Sequence, residues 1–579
     1  MNCITKIALG VAMVLALNAN ASEKNDSLTI KGDMGIWYEG YGLNKTPGSP
    51  NPDFYSARRP WNLFRYSFNP IISYGKWEIP FNFNFSPALN NFTTAYGTKQ
   101  NFWQFLTNPV NSFGLRPKIG TTEFLLGTQF LKYSDLSTGD LGLFGYGINL
   151  SPGIFRIKIF KGVSQSPINY MAPSSSLPNG VVGAYQRNQW MAQLGLGEEG
   201  KYFAGFNIVK SVDKISSVSS PPLTPIEPQE NLVISFLANT TSPKGLKYNI
   251  ELAQSFFTRD LNTPLSLTPI EDFKPFINSH TSTGKDNALM MGIAKKGKDW
   301  EIGTKFNYFG AGYYTAGFQF MTNDRLEYLL NTHFNVWKRK MNVVGSIGKR
   351  VGNLSRVAGP DLTHQLIANI NVFTQFTDHF TLNTSFNNYG FNSPGLSGYK
   401  SVSNELSINP TYIWNNTKMS NLLSGTYTWS KYDETTIVPP NTTHNNTQTV
   451  LILYVPTFFN SKINPDFSVM WFKNSAPTID LTLLTATGGM SWKLNKNFKL
   501  KGQLQYSLST TQPYTANKNL MATTGFDWEV FKKLTWQFSA TANLYHYGSQ
   551  LPGSSLIPVY SGTPGYFEST VRTGLQYKF

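Results

Sequence analysis

The residues best suited to acid–base or metal chemistry in this chain are six histidines, His280, His333, His364, His379, His444 and His546. No pair stands at the i, i+4 spacing that places two imidazoles on one helical face for zinc, and no cysteine accompanies them. A serine hydrolase built on a nucleophile elbow would show Gly-x-Ser-x-Gly, which is missing. His546 and Ser549 are near neighbours, and Asp378-His379 is an acid–base dipeptide, but such residues beside turns are far more often solvated than catalytic. Phosphate-cradling and dinucleotide-binding glycine patterns are also missing. The sequence therefore indicates no enzyme, no catalytic residue, no cofactor and no metal ligand. Glu39, Glu123, Glu251 and Glu301 lie within strand-like stretches, and the simplest expectation is that each pairs with a nearby Lys or Arg.

What remains is a set of cations in a regular phase. Arg65, Arg156, Lys158, Lys305, Lys499, Lys501, Arg572 and Lys578 each occupy the polar face of a stretch whose alternate positions are apolar. In Phe498 to Leu508, for example, Phe498, Leu500, Leu504, Tyr506 and Leu508 oppose Lys499, Lys501, Gln503, Gln505 and Ser507. If such faces line one water-filled lumen, the eight cations give it a potential that favours anions.

The elements that must hold these faces are strands. Phe64, Tyr66, Phe68, Ile72 and Tyr74 share one side of a strand, Gly75-Lys76 turns the chain, and Trp77, Ile79, Phe81, Phe83 and Phe85 return on the same side. Short connections at Glu198 to Lys201, Ser242 to Gly245 and Lys295 to Asp299 alternate with long Ser-, Pro- and Asn-rich ones at 164–184, 212–229 and 259–284. If Leu28 to Leu43 runs outward and a further strand is hidden near Val110 to Lys118, all three long segments lie outside. Charged residues are only 14% of the chain, against roughly 25% in soluble proteins, and aromatics reach 15%. Mean hydropathy is nevertheless −0.25, and no apolar run approaches the roughly 20 residues of a helical span. These features together predict an all-β fold: a single large antiparallel transmembrane β-barrel of about 26 strands (range 20–28), with short periplasmic turns and long outer loops.

The ends of the chain fit that route. Lys6, the apolar run Ile7 to Leu17 and Ala19-Asn20-Ala21 read as a signal peptide over 1–21, which would take Cys3 with it. Residues 22–27 are expected to be a short periplasmic segment and 28–579 the barrel, with Leu28 to Leu43 as first strand. That leaves no space for the folded amino-terminal plug of energised transporters. Residues 88–120 are the expected lumen-occluding or loop segment. In Tyr566 to Phe579, Val571, Thr573, Leu575, Tyr577 and Phe579 alternate with Arg572, Gly574, Gln576 and Lys578. This ending resembles the signal, here Leu575, Tyr577 and Phe579, by which bacterial outer-membrane barrels are recognised by the barrel-assembly machinery. The stretch Phe309 to Leu354 similarly resembles large outer-membrane barrels of the Bacteroidota. Both resemblances imply the outer membrane of a Gram-negative bacterium.

Net charge is +16 and the basic residues are scattered rather than gathered in a run, so nucleic acid is not the expected partner. Outer-membrane lipid and lipopolysaccharide are, with lipoprotein or secretion partners as further candidates. The resulting expectation is transport across the outer membrane, as a passive channel or as the pore of a secretion or assembly system. The alternative is a non-conducting structural or receptor barrel that docks partners through its outer loops.

Overall fold

A computed structural model of the chain describes residues 28–45, 59, 61–86, 105, 111–139, 141–174, 180–198, 200–223, 225–267, 276–318, 321–394, 398–437, 440–477, 479–512, 516–546, 548 and 565–579. The signal-peptide reading (1–21), segment 22–27, Ser549 and nearly all of 88–110 lie outside these residues.

The strands are β1 (Thr29–Lys45), β2 (Asn62–Tyr74), β3 (Trp77–Phe85), β4 (Ser112–Leu115), β5 (Lys118–Ile119), β6 (Thr122–Leu131), β7 (Leu141–Leu150), β8 (Phe155–Gln165), β9 (Gln186–Glu198), β10 (Tyr202–Lys214), β11 (Glu230–Thr241), β12 (Leu246–Thr258), β13 (Thr283–Lys296) and β14 (Trp300–Phe309). They continue as β15 (Arg325–Val336), β16 (Met341–Gly352), β17 (Thr363–Gln375), β18 (Phe380–Ser393), β19 (Tyr399–Asn415), β20 (Met419–Thr436), β21 (Asn441–Phe458), β22 (Ile463–Ala476), β23 (Ile479–Lys493), β24 (Phe498–Gln512), β25 (Asn517–Phe531), β26 (Leu534–His546) and β27 (Gly565–Lys578). Each pairs antiparallel with the next in sequence, save that β4 and β5 lie end to end between β3 and β6.

That interrupted stave is the hidden strand at 110–118, and it corrects part of the expectation for 88–120: residues 112–119 belong to the wall. Its break has a local cause. Pro117 has no N–H to give the ladder, and its carbonyl instead accepts from Phe124 N at 2.8 Å. Opposite, Gly127 sits at φ +74°, where a Cβ would stand 1.8 Å from the Phe113 carbonyl oxygen.

Counting β4 and β5 as one, 26 staves close when β27 pairs with β1, from Tyr566 opposite Lys45 to Lys578 opposite Asp33. The ladder runs to the final residue, since Phe579 and Gly32 exchange backbone hydrogen bonds of 3.1 and 3.2 Å. Closure removes the exposed edge that no lipid could satisfy. Along each strand exposed apolar residues such as Leu194, Phe206, Leu252, Ile302 and Leu504 cover the outer face, while buried Gln193, Asn207, Ser235 and Glu251 belong to the inner one. This alternation is the pattern of a transmembrane barrel.

Twelve connections of two to four residues lie at one end, with both Thr29 and Lys578, and the opposite end holds nearly all the long ones. By that asymmetry the short-turn end is periplasmic. Several strands run further outward than hydrophobic alternation predicts: β20 and β21 are 18 residues each, their outer thirds built of Thr, Asn and charged residues with Tyr432 and His444. Polar β-formers prolong the ladder there after the apolar belt has ended.

Candidate functional site

Among the described residues the inner wall divides into a covered half and a bare half. In the covered half, segments 132–139 and 310–318 leave the outer rim and fold inward. Tyr313 is almost completely buried, and its hydroxyl donates to the Leu136 carbonyl at 2.8 Å. Beside it Thr315 Oγ1 donates to Ser137 O at 2.6 Å and Gly139 N to Gly317 O at 2.9 Å, so the two segments brace one another.

The wall holds both. Glu251 of β12 accepts the N–H groups of Asp135 and Leu136 at 3.1 and 3.3 Å. Gln193 of β9 donates to Tyr133 O at 3.1 Å and to Asn207 Oδ1 of β10 at 2.7 Å. Asn231 of β11 uses both ends of its amide, donating to Tyr314 O at 3.0 Å and accepting from Ala316 N at 2.9 Å. Apolar packing completes the seal: Leu136, Val233, Ala253, Ala288, Phe309 and Tyr313 form one buried cluster. Leu125, Leu131, Tyr133, Leu143, Phe160, Met191 and Val209 form a second. Burial pushes the hydroxyls of Tyr133 and Tyr313 well above the ordinary tyrosine range.

These inward segments are the functional residues that alternation missed. The available signal was a set of exceptions, Leu125, Leu143, Met191 and Val209, apolar residues in the polar phase of their strands. Segment 276–277 goes the other way and packs Ile277 with Leu232 and Phe256 on the outer face.

The bare half comprises β18 to β27 with β1 and β2. A cavity of about 680 Å³ on its inner wall is lined by Trp37, Asp466, Lys499, Lys501, Asp527 and Arg572 among others. Trp37 lies flat over Gly574, where a Cβ would come within 1.9 Å of the indole, so only glycine fits beneath it. Arg572 pairs with Glu39 at 2.7 Å, and Arg59 reaches the other oxygen of the same carboxylate at 3.0 Å. Lys501 pairs with Asp527. A second inner-wall cavity, about 420 Å³, is lined by neutral polar residues including Ser468, Thr485, Gln505 and Asn519.

The eight cations singled out in the sequence are not gathered in one place. Lys499, Lys501 and Arg572 share the cavity just described, and Arg65 stands opposite Trp37 in the register. Lys578 is opposite Asp33 at the periplasmic end. Lys305 lines a separate depression with Lys247, Glu301 and His333. Arg156 folds its guanidinium onto the carbonyls of Gly153 and Phe155, 2.6 and 2.8 Å away, and Lys158 is opposite Asn149. Arg65, Lys305, Lys499 and Lys578 make no ion pair among the described residues.

Of the four strand glutamates, Glu39, Glu123 and Glu301 pair with cations, the latter two with Arg116 at 3.9 Å and Lys247 at 2.8 Å. Glu251 departs from the expectation, because its partners are loop N–H groups rather than a cation. Asp378-His379 is a turn, with His379 Nδ1 2.9 Å from Ile413 O. Among the described residues no three His, Cys, Asp or Glu side chains are placed to share a metal ion.

No family model matches the chain, and no curated protein matches it. Solved structures do. The P pilus usher (PapC) translocation pore aligns over 94% of this chain and 99% of its own, at 9% identity and a TM-score of 0.40. The FrpB iron transporter from Neisseria meningitidis (F3-3 variant) aligns over 96% and 82%, at 10% identity and a TM-score of 0.38. The copper transporter OprC aligns over 79% and 85%, at 9% identity and a TM-score of 0.36.

Proposed function

We propose that this outer-membrane barrel is a conduit, its opening narrowed by inward-folded outer segments and its bare inner wall biased toward anions. The observation that carries this reading is the division of the inner wall. One half is sealed by Tyr313, Leu136 and their supports, while the other presents polar side chains and cavities to the lumen.

Width makes the sealing necessary. Twenty-six strands about 4.8 Å apart and tilted about 40° close on a circle about 50 Å across, far wider than a small solute needs. A wall of apolar clusters covered by chain on one side leaves a narrower aqueous path against the other. On that wall Arg65 and Lys499 make no ion pair among the described residues, which supports a preference for anions. Lys501 and Arg572, being paired, contribute less to that potential than their number suggests.

Swelling of liposomes holding the purified protein tests the reading. Uptake of charged and neutral solutes graded by size, with anions ahead of cations of equal size, is the expected result. Liposomes that stay impermeable to every solute would favour a docking barrel.

A further inference from the structure

The twelve short turns carry twelve Lys and Arg residues against three acids, a surplus of nine in 39 residues. The thirteen connections at the other end carry seven against nine, in 168 residues. Nine of the twelve turns contribute one to three cations each and the other three, 120–121, 151–154 and 376–379, none, so the sequence shows no basic run; the topology collects them at one end of the barrel. Nine of the twelve turn cations make no side-chain ion pair or hydrogen bond among the described residues, the exceptions being Lys201 with Glu198, Arg339 with Asp299 and Lys462 with Leu494 O.

Beside the turn cations stand exposed aromatic residues. Lys76 lies between Tyr74 and Trp77, Lys201 precedes Tyr202, Lys298 is two residues before Trp300, Lys338 follows Trp337, Lys462 is three residues after Phe459 and Lys532 follows Phe531, which is 69% exposed. An aromatic ring at headgroup depth with a lysine reaching past it is the arrangement that anchors chains at a membrane interface. At Trp337, Lys338 and Arg339 the backbone holds three consecutive left-handed residues, φ 52°, 53° and 68°, which non-glycine residues rarely adopt.

We propose that this periplasmic collar binds the anionic phospholipids of the inner leaflet, such as phosphatidylglycerol. Three features select a lipid annulus over a soluble polyanion. The cations come from nine turns spread around the barrel rather than from one cluster. Successive turns are two strands, or about 12 Å, apart, beyond the roughly 8 Å screening length, so each engages its own headgroup rather than sharing one ligand. And the exposed rings beside them need an apolar phase to cover them. The same asymmetry places the surplus charge away from lipopolysaccharide, which occupies the opposite leaflet.

The test is lipid analysis of the full-length protein extracted in native nanodiscs from mixed vesicles of phosphatidylglycerol and phosphatidylethanolamine. Phosphatidylglycerol should be enriched about threefold or more over its bulk fraction around the wild-type protein. Changing Lys76, Lys201, Lys298, Lys338, Lys462 and Lys532 to Gln should return the ratio to bulk, while changing the same six to Arg should keep the enrichment. A control on the outer ends of strands, Lys349→Gln with Lys400→Gln and Lys518→Gln, should also keep it. Heat-modifiable migration on gels certifies that each variant is folded. A bulk ratio around the folded wild type overturns the proposal, as does enrichment that survives the glutamine set. So does saturable binding of heparin by the collar without any lipid enrichment, which would assign the ring to a soluble acidic partner.

Discussion

The Tyr313 hydroxyl donates to the Leu136 carbonyl at 2.8 Å, joining two outer segments 177 residues apart in the chain over the inner wall of the barrel. Both residues are buried, and Tyr313 also packs against Phe309 with ring centroids 6.5 Å apart. Removing the hydroxyl alone strands the Leu136 carbonyl. Tyr313→Phe should therefore weaken the docking by about 1 kcal/mol, whereas Tyr313→Ala, which also opens a cavity, should cost about 3–5 kcal/mol. Limited proteolysis of the outer segments in detergent would read this as faster cleavage in the order wild type, Phe, Ala.

Glu251 should matter more than its polar surroundings suggest. Its carboxylate satisfies two N–H groups of the inward segment, and Glu251→Leu leaves that of buried Leu136 unpaired, at about 1–3 kcal/mol, and releases that of Asp135. Glu251→Gln, which keeps one acceptor oxygen, should be intermediate. Hydrogen exchange at Asp135 and Leu136 measures the release directly.

Alkaline pH should loosen the same contact. Burial raises the Tyr133 and Tyr313 hydroxyls above the usual tyrosine value near 10, so the folded state prefers the protonated form. That contribution is complete below about pH 10 and is lost as pH rises through the raised values. Channel conductance should be flat from neutrality to about pH 10 and increase above it, with a smaller increase in Tyr313→Phe, which cannot ionise there.

The bare wall yields a charge prediction. Lys499→Gln with Arg65→Gln removes two unpaired cations and should lower the chloride-to-potassium permeability ratio about twofold. Lys501→Gln alone should change it less, since that lysine is neutralised by Asp527. Reversal potentials in a salt gradient distinguish the two.

The turn after β15 offers a stability test. Lys338 at φ 53° adopts a conformation that costs an L-residue about 1 kcal/mol and glycine nothing. Lys338→Gly should raise the temperature at which the barrel loses its folded band on gels.

Much of this architecture was legible in the sequence because membrane strands declare themselves locally. Period-two alternation in Trp77 to Phe85 and Phe498 to Leu508, and tight turns such as Gly75-Lys76, are written within ten residues. Even the stave at 112–119 was within reach of parity, because an outward first strand puts the long connections outside only if one more strand precedes residue 122. What was not legible depends on contacts between distant segments. Nothing near Tyr313 identifies Leu136 as its partner, and Glu251 looks like any strand carboxylate until segment 132–139 is laid over it. The basic collar is hidden for a similar reason, since its lysines come one turn at a time and only closure sets them in a ring. Inner-phase apolar residues such as Leu143 and Met191 are the available signal, because an apolar side chain facing a lumen calls for chain to cover it.

Single-channel recording of the purified protein in planar bilayers, wild type beside Tyr313→Ala, tests the central claim most directly. The wild type should conduct with an anion preference, and the variant should conduct more, because its inward segments no longer narrow the path. If neither protein conducts while both remain folded, the barrel is not a conduit; if both conduct equally, the inward segments do not set its width.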